Sequence, residues 1–157
     1  MTTYCDYVNS HPEDLLNKNY HDTQYGFPLD DDNLLFERLI LEINQAGLSW
    51  ILILKRADNF RKAYRGFDLA KVAKFGEKDR ARLLADAGII RNRLKVNAAI
   101  ENAKVVIALR KSHGGFAGWL DAHHPLELDQ WRKLFKKTFV FTGGEIVSNI
   151  YDRLIQY

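Results

Sequence analysis

The sequence predicts an all-α protein, and three observations favour that class. Apolar residues recur at helical spacing over several long stretches. Strand-like alternation of apolar and polar residues is nearly absent from the 157 residues. The three prolines, Pro12, Pro28 and Pro125, leave every long periodic run uninterrupted. We therefore expect one domain over residues 1–157, built from about seven or eight helices with short loops.

The first part of the chain predicts two helices separated by a loop. Pro12 opens the first helix, which covers residues 12–20 and carries acids in its first turn. Residues 21–29 contain a glycine and a proline and are expected to form the loop. The second helix begins within the aspartate run 30–32 and continues to about Ala46.

Glycines and a proline mark most of the later helix ends, because glycine readily takes the left-handed conformation and proline cannot continue a helix. The remaining predicted helices cover residues 50–65, 77–85, 91–111, 116–122, 127–137 and 144–156. The last two flank residues 138–143, which we expect to form a tight connection between them.

The composition is that of an ordinary globular protein, with 46% hydrophobic and 27% charged residues. No apolar run approaches the roughly 18 residues that span a bilayer. The first residues lack the basic and apolar regions of a signal peptide. Cys5 is the single cysteine, which excludes an intrachain disulfide. These features predict a cytoplasmic protein with no membrane partner.

The charge is spread unevenly along the chain. Residues 1–42 contain nine acids and two bases, whereas residues 43–157 contain 21 bases and 11 acids. A basic body suits a nucleic-acid partner, because phosphates attract lysine and arginine. The same charges suit an ordinary solvated surface, and charge alone leaves both interpretations open.

The stretch from Glu42 to Trp50 is the first candidate site. Glu42 shares a helical face with apolar residues, where an unpaired carboxylate is costly. Gly47 suits a helix end and Ser49 suits an N-cap. We therefore expect Trp50 to begin the next helix, a few residues beyond the acid.

An acid and aromatic residues beside a tight turn are suited to bind a nucleobase. A base turned out of DNA is recognised by stacking and by hydrogen bonds to its edge. Trp50, Tyr20 and Tyr25 are the candidate aromatic residues, and Glu42 would favour a base that carries positive charge. The alternative is that Trp50 belongs to the core and Glu42 pairs with an arginine.

The connection between the last two predicted helices is the second candidate site. Lys136 and Lys137 precede it, and Gly143 and Gly144 lie where the last helix begins. Glycines let the backbone approach a phosphate, which a helix N-terminus and nearby lysines attract. Glu145 opposes this reading, because an acid in that first turn repels phosphate. An ordinary glycine-rich turn is the alternative.

Two smaller groups carry weaker signals. Arg91, Arg93 and Lys95 gather bases at a helix start, which the helix dipole disfavours, and this indicates either an external anion or a solvated face. Cys5 and His21 are suitable zinc ligands, but a structural zinc site requires four, and the sequence has no second cysteine.

Together these stretches resemble the DNA-3-methyladenine glycosylase I family of base-excision repair. The resemblance covers nearly the whole chain in the family's order. Its most specific segments are Gln45-Ala46-Gly47-Leu48-Ser49-Trp50 and Asp86-Ala87-Gly88-Ile89-Ile90-Arg91. The other matching segments are Cys5-Asp6-Tyr7-Val8, Tyr20-His21-Asp22 with Gly26 and Pro28, Leu35 to Glu42, and Phe139 to Gly143.

The resemblance implies a helix-hairpin-helix glycosylase fold with its motif at about residues 127–156. It implies hydrolysis of the N-glycosidic bond of 3-methyladenine in alkylated double-stranded DNA after base flipping, with free 3-methyladenine as a product. Glu42 and Tyr20 match residues that hydrogen-bond the base, and Trp50 matches the residue that stacks on it. Glu42 is the expected catalytic carboxylate.

The resemblance also implies further contacts, and we expect a monomer. Tyr7 and Tyr25 match aromatic residues of the same pocket, where the family has tryptophans. Direct DNA contacts are expected at Thr142, Gly143, Gly144, Lys136, Lys137 and Arg91.

The sequence departs from the family at its zinc site and in its pocket. The family joins its termini through zinc with a cysteine and a histidine from each end. Cys5 and His21 match the first pair and the second pair is missing, so we expect no zinc, unless the sequence is truncated. With Tyr7, Tyr25 and Gln24 also changed, a DNA-binding module without catalysis and a glycosylase with altered base preference are the alternatives.

Overall fold

The computed structural model describes residues 3–23 and 31–152 and confirms the all-α class, because every regular element in these residues is helical. A short 3₁₀ turn at Arg65–Phe67 accompanies the α-helices. The α-helices are α1 (Tyr4–Ser10), α2 (Leu15–Thr23), α3 (Asp32–Gln45), α4 (Trp50–Lys55), α5 (Ala57–Ala63), α6 (Leu69–Val72), α7 (Glu77–Ala85), α8 (Arg93–His113), α9 (Phe116–His123), α10 (Leu128–Thr138) and α11 (Gly144–Ile150).

The described residues thus contain more helices than the seven or eight predicted, because short helices escape the pattern and one long helix is divided. The predicted helix over 50–65 breaks at Arg56, which ends α4 and precedes α5 with a backbone ψ of 3°. Two short helices, α1 and α6, begin at side-chain caps from Thr3 and Asp68.

Helix α2 begins and ends later than the helix predicted over residues 12–20. Pro12 lies in the turn before α2, where the Asp14 carboxylate accepts a hydrogen bond from the Asn17 amide at 3.2 Å. Residues 21–23, which were predicted as loop, form the last turn of α2. The remainder of the predicted loop and the last four residues of the final predicted helix lie outside the described residues.

Helix α3 lies at the centre of the fold. Ten consecutive residues of it, from Leu35 to Asn44, are buried, and it packs against α4, α6, α8, α9 and α11. The Asp31 side chain caps its N-terminus by accepting from the Leu34 amide at 3.0 Å. The position of Glu42 is therefore fixed by the core on every side of this helix.

The end of α3 confirms the predicted turn. Gly47 has a φ of 78°, which glycine adopts without strain. The Ser49 hydroxyl accepts from the Leu52 amide at 3.3 Å and so caps α4, which begins at Trp50. Among the helices of the described ranges, none combines the length and the apolar character needed to cross a bilayer.

Candidate active site

The turn between α3 and α4 places Glu42 and Trp50 at the candidate site. Glu42 lies one helical turn before the end of α3 and is 2% exposed. Trp50 begins α4 and is 7% exposed. The connection between the two helices is a tight turn. The Leu48 amide donates to the Gln45 carbonyl at 2.6 Å, and this hydrogen bond encloses Ala46 and Gly47.

Tyr20 joins this site from α2. It is 3% exposed, and its ring meets the Trp50 ring edge-on with centroids 5.1 Å apart. Tyr4 adds a further edge contact to Tyr20 at 6.1 Å, and the Arg38 guanidinium lies 4.8 Å from the Tyr20 ring centroid, over its face. The structure therefore brings Tyr20 and Trp50 together, and it adds Tyr4 and Arg38, which the sequence did not single out.

Two cavities of about 200 Å³ each flank this group of side chains. Tyr20, Arg38 and Trp50 contribute to the first. The second lies between the end of α3 and the start of α11. Its lining comprises Glu42, Gln45, Ala46, Gly47, Leu48, Glu145, Ile146 and Asn149.

Glu145 lines the cavity that Glu42 lines, which gives it a place that the sequence did not predict. Glu145 is exposed in the first turn of α11 and lines this cavity together with residues at the end of α3. Two carboxylates bordering one cavity favour a cationic guest. The acid that opposed phosphate binding in the sequence thus belongs to the wall of the Glu42 cavity.

Of the two other aromatic residues expected in the pocket, Tyr7 lies within the described residues and Tyr25 does not. Tyr7 is 38% exposed, donates its hydroxyl proton to Asp14 at 2.9 Å and stacks on His11 with ring centroids 4.3 Å apart. The hydrogen bond to Asp14 raises the pKa of the Tyr7 phenol. Tyr25 and its neighbour Gln24 lie outside the described residues.

The expected DNA-binding residues are mostly exposed. Lys136 and Lys137 lie in the last turn of α10, and Gly143 and Gly144 begin α11. All four residues are exposed, as is Arg91 before α8.

Thr142 differs from the other expected DNA contacts. It is 4% exposed, and its hydroxyl donates to the Phe135 carbonyl at 2.9 Å. Its side chain therefore braces the hairpin from inside.

Among the bases at the start of α8, Lys95 differs most from what the sequence predicts. It is 5% exposed, and its ammonium donates to the carbonyls of Asn44 and Ala46 at 2.9 Å each. Neither the external anion nor the solvated face considered for this lysine applies. The available signal was its register, because Lys95 falls three and four positions before the buried Ala98 and Ala99 of α8.

Cys5 and His21 are close together, with their Sγ and Nε2 atoms 3.1 Å apart. Within residues 3–23 and 31–152, however, no group of three or more histidine, cysteine, aspartate or glutamate side chains is placed to hold a metal ion. Structural zinc takes four ligands. The ligand set of the described residues therefore does not fit zinc.

Comparison with known proteins identifies relatives of this chain. DNA-3-methyladenine glycosylase 1 of Escherichia coli (strain K12) is 40% identical over 128 residues, which are 80% of this chain and 67% of that protein. DNA-3-methyladenine glycosylase of Haemophilus influenzae is 38% identical over 120 residues, which are 76% of this chain and 63% of that protein, less than two thirds of its length.

A solved structure has the same fold over most of both chains. It is 3-methyladenine DNA glycosylase I from Staphylococcus aureus, in a structure that concerns 3-methyladenine recognition, and it matches with a TM-score of 0.82 and 28% identity. The match covers 92% of this chain and 87% of that chain. The sequence profile described as Methyladenine glycosylase matches residues 10–147. With most of the chain inside that profile, the protein belongs to the methyladenine glycosylase family.

Proposed function

We propose that this protein is a monofunctional DNA glycosylase of base-excision repair. It hydrolyses the N-glycosidic bond of 3-methyladenine in alkylated double-stranded DNA after the base has left the helix. Family membership supports this reaction, as do the relatives that are named for it. The observation that carries the proposal is the buried Glu42 carboxylate, which lines a cavity at the end of α3, while Tyr20 and Trp50 line a second cavity.

The charge of the lesion explains why a carboxylate is the central group. Adenine alkylated at N3 is cationic while it is attached to the sugar, so its glycosidic bond is already weakened. The base then leaves without a strong general acid, and selective binding and orientation supply much of the rate. Glu42 recognises the positive charge and stabilises positive charge that develops on the sugar as the bond breaks.

The aromatic side chains hold the base in the position where Glu42 acts. Stacking on an aromatic side chain is worth about 1–3 kcal/mol per base. Trp50 and Tyr20 meet edge to face and are held by the core, so neither ring has to reorganise when the base enters. We expect Trp50 to stack on the base and Tyr20 to donate a hydrogen bond to its edge.

DNA is held by exposed groups beside the pocket. We assign phosphate contacts to Lys136, Lys137 and Arg91, and backbone contacts to Gly143 and Gly144. These groups carry no base specificity, so selection of the lesion falls to the pocket. We expect the protein to act as a monomer in the cytoplasm, and gel filtration without DNA tests the first of these expectations.

Base release from methylated DNA, compared with a Glu42→Gln variant, tests the proposal. Glutamine keeps the shape of the side chain and removes its charge, so we expect single-turnover release of 3-methyladenine to fall at least tenfold, which corresponds to about 1.4 kcal/mol. Glu101→Gln is the matched control, because Glu101 is an exposed acid on α8 that pairs with Lys104. Equal release by the wild-type protein and the Glu42→Gln variant would contradict the proposal.

A DNA-binding module without catalysis is the second candidate. The observation that favours it is Tyr7, which is partly exposed and bonded to Asp14 where the family has a pocket tryptophan. This candidate predicts salt-dependent DNA binding with no base released from methylated DNA. A panel of oligonucleotides with different alkylated bases separates it from a glycosylase of altered preference, which would release one of the other bases.

A further inference from the structure

Helix α8 contacts both functional parts of the proposed glycosylase through buried polar side chains. We propose that α8 fixes the base-recognition turn relative to the DNA-binding hairpin, with Lys95 and Asn102 as the two positioning residues. The base-recognition turn is residues 44–50, and the DNA-binding hairpin is residues 139–143. This inference rests on the function proposed above.

Lys95 holds the base-recognition turn. Its two hydrogen bonds, each 2.9 Å long, go to the carbonyls of Asn44 and Ala46 at the end of α3. Helix α3 has no basic residue in its own last turn, so the ammonium of α8 satisfies these carbonyls at the negative end of the α3 dipole. Glu42 lies one turn before Ala46, and Trp50 follows directly after this turn.

The burial of Lys95 indicates that its position matters. A lysine ammonium is strongly hydrated, and removing it from water is costly unless hydrogen bonds replace the lost water. Here the two carbonyls lie about 50 residues away in the sequence, so the bonds join two separate elements. An apolar side chain would fill the same space at lower cost, but it would leave the end of α3 without this attachment.

Asn102 holds the DNA-binding hairpin. It is fully buried, its side-chain amide donates to the Val140 carbonyl at 2.9 Å, and its side-chain oxygen accepts from the Val140 amide at 2.8 Å. This two-point pairing satisfies both backbone groups of a residue that lies outside the helices. The Val140 side chain is 48% exposed, so the hairpin is anchored through its backbone while its outer side remains open.

The spacing of the two residues links the two attachments. Asn102 follows Lys95 by seven positions, which places both on one side of α8 about 10 Å apart. Between them, Ala98 and Ala99 are fully buried, so this side of the helix packs closely against the core. A displacement of α8 would move both attachments together, and the pocket therefore keeps a fixed distance from the DNA backbone contacts.

Two variants with two binding measurements test the inference. Lys95→Met removes the bonds to the turn, and we expect about a tenfold loss of affinity for free 3-methyladenine with less than about a twofold change in affinity for an undamaged duplex. Asn102→Leu removes the pairing with the hairpin, and we expect the reverse pattern of similar size. Single-turnover excision should fall in both variants.

Conservative and control variants separate positioning from general damage. Lys95→Arg keeps a cation that donates hydrogen bonds and should recover part of the affinity for the base. Lys104→Met removes an exposed lysine from the same helix, and it should change neither affinity. If Asn102→Leu does not fold, Asn102→Ser provides the same comparison, because serine is too short to pair with both groups of Val140.

A merely structural role would not make Lys95→Met lose affinity mainly for 3-methyladenine and Asn102→Leu lose affinity mainly for the duplex. Equal losses of both affinities in both variants, together with lower melting temperatures, would overturn the inference, and so would two variants that match the wild-type protein. A wild-type protein that binds undamaged duplex but no 3-methyladenine would contradict the proposed function instead. In that case the loss of duplex affinity in Asn102→Leu would still test the hairpin attachment.

Discussion

At the scale of single residues, the site depends on charges that the fold has already placed. Glu42, near the end of α3, is 2% exposed, and Lys95 of α8, which contacts that end, is 5% exposed. Ordering such groups during the reaction would cost free energy, whereas groups fixed beforehand stabilise charge without reorganisation. The Asn44 and Ala46 carbonyls satisfy the ammonium of Lys95, and the acids Glu42 and Glu145 line the cavity at the same end of α3.

Leu48 is an exposed apolar residue at the Glu42 cavity. It is 38% exposed, follows the left-handed Gly47 and lines the same cavity as Glu42. A base that leaves the helix leaves a gap in the stack, and an apolar side chain can fill it. We expect Leu48→Ala to lower single-turnover excision several-fold while affinity for free 3-methyladenine stays unchanged.

The control for this prediction is another exposed leucine. Leu94→Ala removes a side chain that is 64% exposed near the start of α8 and is absent from the lining of the Glu42 cavity. Excision by Leu94→Ala should match the wild-type rate. A loss of free-base affinity in Leu48→Ala would show that this leucine shapes the pocket itself.

Lys95 predicts a dependence of stability on pH. Burial lowers the pKa of Lys95 from its ordinary value of 10.5. Between the lowered pKa and 10.5, the unfolded chain holds the proton more tightly than the folded chain, so the free energy of unfolding rises with pH in this window. Relative to Lys95→Met, the wild-type protein should therefore gain stability as the pH rises from neutral towards 10.5.

Urea unfolding of the two proteins at a series of pH values measures this difference. Lys104→Met is the matched lysine variant on the same helix. A difference between the wild-type protein and Lys95→Met that stays constant up to pH 10.5 would show that burial does not weaken proton binding at Lys95.

At the scale of elements, local signals in the sequence determine the ends of helices, and tertiary contacts determine the breaks. The predicted stop at Gly47 and the cap at Ser49 both occur, because they depend on residues adjacent in the chain. The break at Arg56 has no glycine or proline to mark it. The Arg56 side chain donates to the Ile89 carbonyl at 3.2 Å, a contact 33 residues away that no local pattern contains.

The candidate site divides in the same way. The places of Glu42 near the end of α3 and Trp50 at the start of α4 were predictable, because Gly47 and Ser49 mark the turn between these helices. The partner of Lys95 was not, because the register of this lysine places it on the buried face of α8 but does not identify the helix end that it contacts. Glu145 likewise reaches its cavity only because α11 packs against α3.

The hairpin gives a prediction at this scale through Thr142. Thr142→Val keeps the shape of the side chain and removes the hydroxyl bonded to the Phe135 carbonyl. We expect the free energy of unfolding to fall by about 1 kcal/mol and the melting temperature to fall by about 2–4 °C. Well below that temperature, affinity for duplex DNA should change less than about twofold.

Thr138→Val, at the last residue of α10, is the control for loss of a threonine hydroxyl near the hairpin. Calorimetry and a fluorescence binding titration give the two quantities. A loss of DNA affinity of tenfold or more without a change in stability would mean that the Thr142 hydroxyl contacts DNA directly.

At the scale of the whole molecule, the acidic and basic residues are concentrated in different parts of the chain. Residues 1–42 contain nine acids and two bases and end at Glu42. Residues 43–157, which include the hairpin, contain 21 bases and 11 acids. The proposed site uses both signs of charge, because Glu42 and Glu145 line one cavity and Lys136 and Lys137 are exposed at the end of α10. The small net charge of +3 conceals this separation.

The lysines before the hairpin supply the prediction that belongs to this scale. Each phosphate contact contributes about 0.9 to the slope of log affinity against log salt concentration. Lys136 and Lys137 are exposed in the last turn of α10, so replacing both by glutamine should lower the magnitude of that slope by about 2 if each binds one phosphate.

Lys78→Gln, which changes an exposed lysine of α7, should leave the slope unchanged. Because free 3-methyladenine has no phosphate, its affinity should be the same in all these proteins. A slope that the double variant does not change would move the phosphate contacts away from α10 and leave Arg91 and the backbone of Gly143 and Gly144 to hold the DNA.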